Sequence, residues 1–377
     1  MADRETELIA RLAPGVARLD AAAWDRLAGG DPFLGHAFLA ALEDSDSVGA
    51  GTGWAPAPLT IEDQAGALLA AAPAYLKSHS QGEYVFDHAW ADAFERAGGQ
   101  YYPKLQIAVP FTPVPGSRLL GAWPQQLLGA AEAVAEQNGL SSAHITFIDE
   151  AGAAECERRG WLIRHGIQYH WHNRGYADFD AFLAALTSRK RKAIRKEREA
   201  ARDGLDIVTL RGPQIGAAEW DAMWAFYQDT GSRKWGHPYL TRDFFDRIAG
   251  TMSDQLLLFL AYREGIPVAG ALNLIGSDTL YGRYWGTLDE VPFLHFELCY
   301  YQAIDWAIGN GLAAVQAGAQ GEHKLARGYE PVICRSAHFI VDPGFRRAVE
   351  TFLYEERRAI AAEAEWERSA LPYRSSP

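Results

Sequence analysis

The chain has 377 residues, 48% hydrophobic and 22% charged, which is enough apolar material for two packed domains and argues against wholesale disorder. A net charge of −12 excludes a general nucleic-acid binder and leaves room only for local contact with a polyanion. Three cysteines (Cys156, Cys299 and Cys334) without a C-x-x-C pair argue against a disulfide framework or structural zinc, and the absence of a signal peptide or a bilayer-length apolar run points to a soluble cytoplasmic protein.

Leu59–Glu62, a turn at Asp63-Gln64 and Gly66–Leu69 read as a hairpin. Ser78 to Glu83 is polar and reads as a loop that lines a pocket or simply turns, and Tyr84–Phe86 reads as a strand. Tyr101-Tyr102-Pro103-Lys104-Leu105 leads into a strand over Gln106–Val109. The Pro-rich run from Pro110 to Gly121 then carries Arg118 between two glycines, ahead of a helix predicted over Pro124–Gln137. A basic residue and glycines before a helix can cradle a pyrophosphate, because free N–H groups and the helix dipole point the same way. Strict phosphate-loop spacing does not accompany them. The helix ends at Asn138-Gly139, and strands over Ala143–Ile148 and Ile167–Trp171 follow.

Phe179, Phe182, Leu183, Leu186, Ala193, Ile194 and Ala201 recur at helical spacing and predict one helix from about Asp180 to Arg202, capped by Asp178 or Asp180. Seven cations occupy the ten positions after Ser188: Arg189, Lys190, Arg191, Lys192, Arg195, Lys196 and Arg198. Late in a helix such charges suit its dipole, and a solvated face is the plain alternative. Their mutual repulsion is relieved if the phosphates of a nucleotide, a coenzyme or an RNA stem bind nearby. A helix over Trp220–Thr230 leads to Lys234-Trp235-Gly236-His237, a polar and aromatic knot that could wall or cover a pocket.

The second half repeats the order of the first. Phe259–Tyr262, a turn at Glu264-Gly265, Ala269–Asn273 and Leu280–Trp285 read as strands. A helix over His295–Ile308 ends at Asn310-Gly311, and strands over Ala313–Ala317 and Ala337–Val341 follow. A helix from Gly344 to about Arg368 leaves Ser369–Pro377 as a frayed tail. Titratable groups crowd the loops of this half, which converge at one sheet edge in an α/β layer. Glu322 or His323 is the expected base toward an attacking amine, with His295 and Glu297 as further candidates. Arg283, Lys324 and Arg327 could hold an anion or oxyanion, and Tyr284, Trp285, Phe296 and Tyr329 could wall the pocket. The spacing matches no zinc motif, and no metal is expected.

The runs His79–Phe86, Tyr101–Leu105, Pro110–Val114, Ser188–Lys192, Gly282–Gly286 and Gly318–Lys324 resemble the FemAB-like family, labelled peptidoglycan biosynthesis/recognition or N-acyltransferase. The resemblance runs from about Phe33 to Ser336. It implies an α/β fold of two tandem domains like the GCN5-related N-acetyltransferases (GNAT), over residues 1–175 and 176–377. The basic helix at 180–202 would open the second domain. It also implies an N-acyltransferase that moves an acyl or aminoacyl group from acyl-CoA or aminoacyl-tRNA to a small-molecule amine, a cell-wall precursor among the candidates. Lys104, Arg118, Arg283, Tyr284, Trp285, Lys324, Arg327, Lys234 and Trp235 are the implied substrate and donor contacts, and Arg189, Arg191 and Arg195 the contacts to tRNA. In better-known relatives the basic insertion lies inside the second domain, whereas here it is shorter and opens that half. Val114-x-x-x-Arg118-x-x-Gly121 is loosely similar to a coenzyme A pyrophosphate loop, and Thr287–Leu294 has no glycine, so coenzyme A is expected in the first half. The alternative is a degenerate relative that binds a cell-wall or anionic metabolite without chemistry.

Overall fold

The computed structural model describes residues 7–235, 238–318 and 321–374, with the side chains of residues 232–235 and 322 outside the description. In chain order it begins with β1 (Ile9–Leu12), α1 (Ala21–Ala28), α2 (His36–Asp44), β2 (Trp54–Pro56), β3 (Leu59–Glu62), β4 (Leu68–Ala72) and β5 (Ala74–Lys77). Next come α3 (His88–Arg96), β6 (Lys104–Ile107), β7 (Leu120–Gly121), α4 (Pro124–Gln137), β8 (Ser142–Ile148), α5 (Glu150–Arg158) and β9 (Leu162–His172). The chain continues through α6 (Phe179–Ala185), α7 (Ser188–Arg202), β10 (Asp206–Arg211), α8 (Ala217–Trp235), α9 (Arg242–Thr251), β11 (Leu256–Arg263), β12 (Ile266–Ile275) and β13 (Thr279–Thr287). It ends with α10 (Leu294–Phe296), a π turn over Glu297–Tyr301, α11 (Gln302–Gly309), β14 (Ala314–Gln316), β15 (Glu330–Ile340) and α12 (Pro343–Ser369).

Two compact units emerge: Met1–Gly166 with Ile333–Ala361, and Ile167–Val332 with Ala362–Pro377. In the first, β5 pairs antiparallel with β6, and β6 pairs parallel with β8. In the second, β10 to β13 form an antiparallel run, and β13 pairs parallel with β14. Parallel neighbours need a crossover, which α4 supplies in one unit and the helix from Leu294 to Gly309 in the other. Leu127, Leu128, Ala131 and Ala135 of α4 bury against Leu105, Ile107 and Ile145. Leu298, Ile304 and Ile308 bury against Leu257, Phe259 and Val315 in the second core. The duplicated order of strands and helix is thus real in three dimensions.

The closing strands are exchanged. β9, which follows the first repeat, pairs with β14 through His172–Ala314, Trp171–Val315 and His170–Gln316. β15, which follows the second repeat, pairs with β8 from Arg335–Ile148 to Ile340–Ser142. A single cut near residue 175 therefore does not separate the units.

Three local expectations are corrected. Tyr84–Phe86 forms no strand, because Tyr84 is left-handed (φ 58°) and turns the chain into α3. The helix expected over 180–202 breaks into α6 and α7 at Leu186, which is extended and bridges to Tyr373. The tail expected to fray is tied there through Arg374: Thr187 N–H donates to Pro372 O (2.9 Å), Arg374 N–H to Ala185 O (3.0 Å) and the Tyr373 hydroxyl to Gly328 O (2.6 Å).

Candidate functional site

The second unit concentrates its titratable groups where β13 and β14 part. The two strands pair only from Thr279–Ala314 to Tyr281–Gln316, and β13 then continues to Thr287 paired with β12 but without β14. Phe293, left-handed at φ 63°, starts the helix that crosses back. That helix contains the π turn, a feature that often marks functional sites because it redirects consecutive side chains. Tyr300 and Tyr301 illustrate this by reaching different partners. Tyr300 hydroxyl lies 2.8 Å from His323 Nε2. Tyr301 hydroxyl donates to Glu197 of α7.

Residues Glu322–Arg327 form a short 3-10 helix after β14. Its His323 ring is exposed and stands 5.4 Å from Phe296, while His295 stands 5.3 Å from Tyr300 and 5.2 Å from Trp285. Partial burial and the charges of Arg327 and Lys324 hold the His323 pKa below its ordinary 6.5, so the ring is neutral at pH 7. Burial pushes the Tyr300 hydroxyl far up, so it stays protonated. His295, His323 and Trp285 are thus brought together as the sequence expects. The Glu322 side chain lies outside the described residues, as do those of Lys234 and Trp235.

Arg327 is a fastener. Its guanidinium lies 3.5 Å over the Phe296 ring and donates to both Glu197 oxygens (3.0 and 2.9 Å), to Tyr301 hydroxyl (2.9 Å) and to His323 O (2.8 Å). With its donors engaged, it fixes the 3-10 helix to α7. Glu297 is equally committed. Fully buried, it accepts from Arg198 (3.1 and 3.2 Å), Arg202 (2.8 Å) and Gln302 (2.9 Å), which suits a structural knot better than a base. Lys324 is buried with its ammonium on Gly318 O (2.5 Å), and burial lowers its pKa to about 7. Tyr284 turns away from this group and packs against Tyr227 and Phe245 of α8 and α9. The Arg283 guanidinium lies 5.5 Å from the Tyr284 ring.

The break at Leu186 changes the meaning of the basic segment. Arg189, Lys190, Arg191 and Lys192 occupy the first turn of α7, where the helix dipole is itself positive. None of the four forms an ion pair among the described residues. Arg195 pairs with Asp180 (2.8 Å) beside an open cleft of about 460 Å³ that Arg198, Glu199 and Asp305 also line.

Lys104 and Arg118 belong to the first unit. Lys104 is fully buried among Ser80, Glu83 and Asp87. Arg118 is buried on its own loop, donating to Val114 O (2.6 Å) and Ser117 O (3.1 Å), and burial lowers its pKa to about 10. That loop runs along β8, with Gly116 N–H on Phe147 O and Asp149 N–H on Gly116 O (both 3.0 Å). The segment expected to hold a pyrophosphate thus turns both terminal nitrogens of its Arg118, and the N–H and C=O of Gly116, onto the protein itself. Sequence reasoning missed Tyr300, Glu197 and the partners of Lys104. Helical spacing alone makes Tyr301 one more apolar position, and Glu197 lies within the basic run of α7.

A family described as peptidoglycan biosynthesis/recognition, FemAB-like, matches residues 15–375. The chain belongs to the FemAB-like family. No curated protein matches the sequence. Among solved structures, FemX aligns at a TM-score of 0.53 and 12% identity over 91% of this chain and 100% of its own. L-PGS from Bacillus licheniformis aligns at 0.50 and 12% over 82% of this chain and 92% of its own. These likenesses are of fold. With two units that each run an antiparallel ladder into a parallel pair, the FemAB-like chain is an α/β protein of duplicated organisation. Among the described residues no helix is long and apolar enough to cross a membrane, and no group of three or more His, Cys, Asp or Glu could hold a metal.

Proposed function

We propose that this protein is an N-acyltransferase that moves an acyl or aminoacyl group from an activated, phosphate-bearing donor to an amine, with the transfer centred on His323 and Tyr300. The observation that carries this reading is the 2.8 Å contact between Tyr300 hydroxyl and His323 Nε2 beside the parting strands. With its proton on Nδ1, the neutral imidazole accepts from the tyrosine. The amine nitrogen attacks the donor carbonyl carbon, and its proton passes to Tyr300 oxygen as the tyrosine proton passes to His323. The bond to the leaving oxygen or sulfur then breaks, and that group takes up the proton. No covalent enzyme intermediate is needed when both reactants are held in place.

The unpaired first turn of α7 supports a polyphosphate or RNA donor, since its cations add to a positive helix end. Acyl-CoA and aminoacyl-tRNA both satisfy this, and a small cell-wall amine fits the family as acceptor. His323→Ala and Tyr300→Phe should each lower transfer at least about 100-fold without changing the thermal midpoint. Normal turnover in either variant, assayed with acyl-CoA and with charged tRNA, removes the pair from the mechanism. Sensitivity of the wild type to ribonuclease would select the RNA donor.

A further inference from the structure

His323 takes its direction from a segment too short to hold itself. Glu322–Arg327 is a 3-10 helix closed by Lys324 N–H on Gly321 O (3.0 Å) and Gly328 N–H on Leu325 O (3.1 Å). Hydrogen-bond geometry in such helices is poor, so they rely on what they pack against. The His323 ring folds back over Gly321, where a Cβ would stand 2.5 Å from its Cε1. The imidazole therefore moves with this helix and depends on the helix's anchors for its 2.8 Å contact with Tyr300.

Arg327 anchors the helix to Glu197 of α7 on one side. The other anchor is Tyr373, whose hydroxyl donates to Gly328 O (2.6 Å). Gly328 is left-handed at φ 85°, and a Cβ there would stand 3.0 Å from the Phe182 ring and 3.1 Å from the Tyr373 hydroxyl oxygen. Glycine lets both rings close on this peptide. Tyr373 is itself steadied: the Arg174 guanidinium lies 4.2 Å over its ring and pairs with Glu330 (2.7 Å). On either side of Tyr373 the chain grips the start of α7. Pro372 O accepts the Thr187 N–H (2.9 Å), Arg374 N–H donates to Ala185 O (3.0 Å), and Arg374 Nε donates to Leu186 O (3.2 Å). Thr187 is the cap residue of α7, yet its side chain caps no backbone N–H. Three consecutive residues thus fasten both the helix carrying His323 and the turn of α7 carrying Arg189 to Lys192, and all of these groups belong to the second unit.

We propose that Tyr373 is a positioning residue, the centre of a strap over Pro372–Arg374 that holds His323 and the first turn of α7 in a fixed relation. This rests on the transfer reading given above, in which a donor gripped at α7 must meet the imidazole. Tyr373 touches no reacting atom. It acts through Gly328 O on the 3-10 helix, while Pro372 and Arg374 act on the start of α7. Misplacing a reacting group by about 1 Å can cost on the order of 100-fold in rate, so a small shift of the helix is enough.

The test is Tyr373→Phe in the full-length protein, which deletes the hydroxyl and keeps the ring. Transfer from acetyl-CoA and from charged tRNA should show kcat lowered at least about tenfold with the donor KM unchanged. By NMR, the His323 ring should titrate closer to its ordinary 6.5 than it does in the wild type. Hydrogen exchange should speed up at residues 324–328 and stay unchanged at residues 187–192 and over β11 to β13. Removing residues 370–377 should speed exchange at both places and raise the donor KM as well. Should that truncation not fold, Tyr373→Phe decides. Wild-type kcat in Tyr373→Phe alongside a crippled His323→Ala, an unmoved His323 titration, or exchange that rises equally over β11 to β13 would each overturn the strap and leave Tyr373 as core packing. The transfer reading fails separately. Normal turnover in His323→Ala, with the titration and exchange changes still seen in Tyr373→Phe, would remove that reading while the strap's hold on His323 stands.

Discussion

The ammonium of Lys324 is buried against Gly318 O and has no carboxylate partner among the described residues. Burial takes its pKa from 10.5 to about 7. Because the folded value is the lower one, the unfolded chain binds the extra proton between about pH 7 and 10.5. The penalty of burying this charge is therefore full below that window and fades as the pH rises through it. Lys77 carries a shift of the same size in the first unit, so the wild type alone cannot separate the two. Lys324→Met removes one of them and keeps much of the side-chain volume. The variant should be more stable than the wild type at pH 7 by on the order of 1–3 kcal/mol, with the gap narrowing toward pH 9.5. Urea unfolding of both proteins across that range measures it. A gap that does not change with pH would mean that Lys324 does not titrate as a buried ammonium.

At the level of elements, the π turn and α7 are held by charge. Glu297 sits inside the turn and receives Arg198, Arg202 and Gln302, so one carboxylate joins two helices. Removing one partner of a buried ion pair costs about 3–5 kcal/mol, because the others are left desolvated and unpaired. Glu297→Ala should lose roughly that much in chemical denaturation, and Glu297→Gln, which keeps the shape, should lose less. If Glu297 were instead a general base, Glu297→Gln would abolish transfer at unchanged stability. This distinction was invisible in the sequence, where His295-x-Glu297 reads as a pair of candidate catalytic groups. Periodicity correctly announced the helix over 295–308 and the left-handed ends at Gly139 and Gly311, because those signals are local. It failed at Leu186, where helical spacing continues but the chain is extended. The competing interaction comes from Tyr373, far along the chain, and no local pattern encodes it. The same long range hid Tyr301, whose hydroxyl finds Glu197 only once α7 is packed. The crowd from Arg283 to Arg327 was legible as a cluster of titratable groups, but the division of its members into fasteners and exposed groups depended on partners outside that stretch.

Across the whole molecule, the decisive feature is the exchange of closing strands. The sequence presents two similar halves, each with its own final apolar strand, and nothing local tells Ile167–Trp171 from Ala337–Val341 as a mate for β8. In the fold, β8 takes β15, so the sheet of the first unit is complete only with residues from beyond Ile333. A fragment of residues 1–175 would expose the edge of β8 from Ser142 to Ile148, a fully buried strand. It would also lack His338, whose Nδ1 lies 2.6 Å from that of His144, and Val349 and Leu353, which pack with Trp90 and Tyr101. An unpaired apolar edge is an aggregation site, and a missing core face is a larger loss than a small unit can absorb. The fragment expressed alone should therefore be insoluble or give a circular dichroism spectrum without cooperative thermal unfolding. Coexpression with residues 176–377, which carry β15, should restore a soluble complex that unfolds cooperatively. A fragment of residues 1–175 that folds by itself with dispersed amide resonances would show that the exchanged strand is dispensable, and the first unit would then have to be redrawn without Ile333–Ala361.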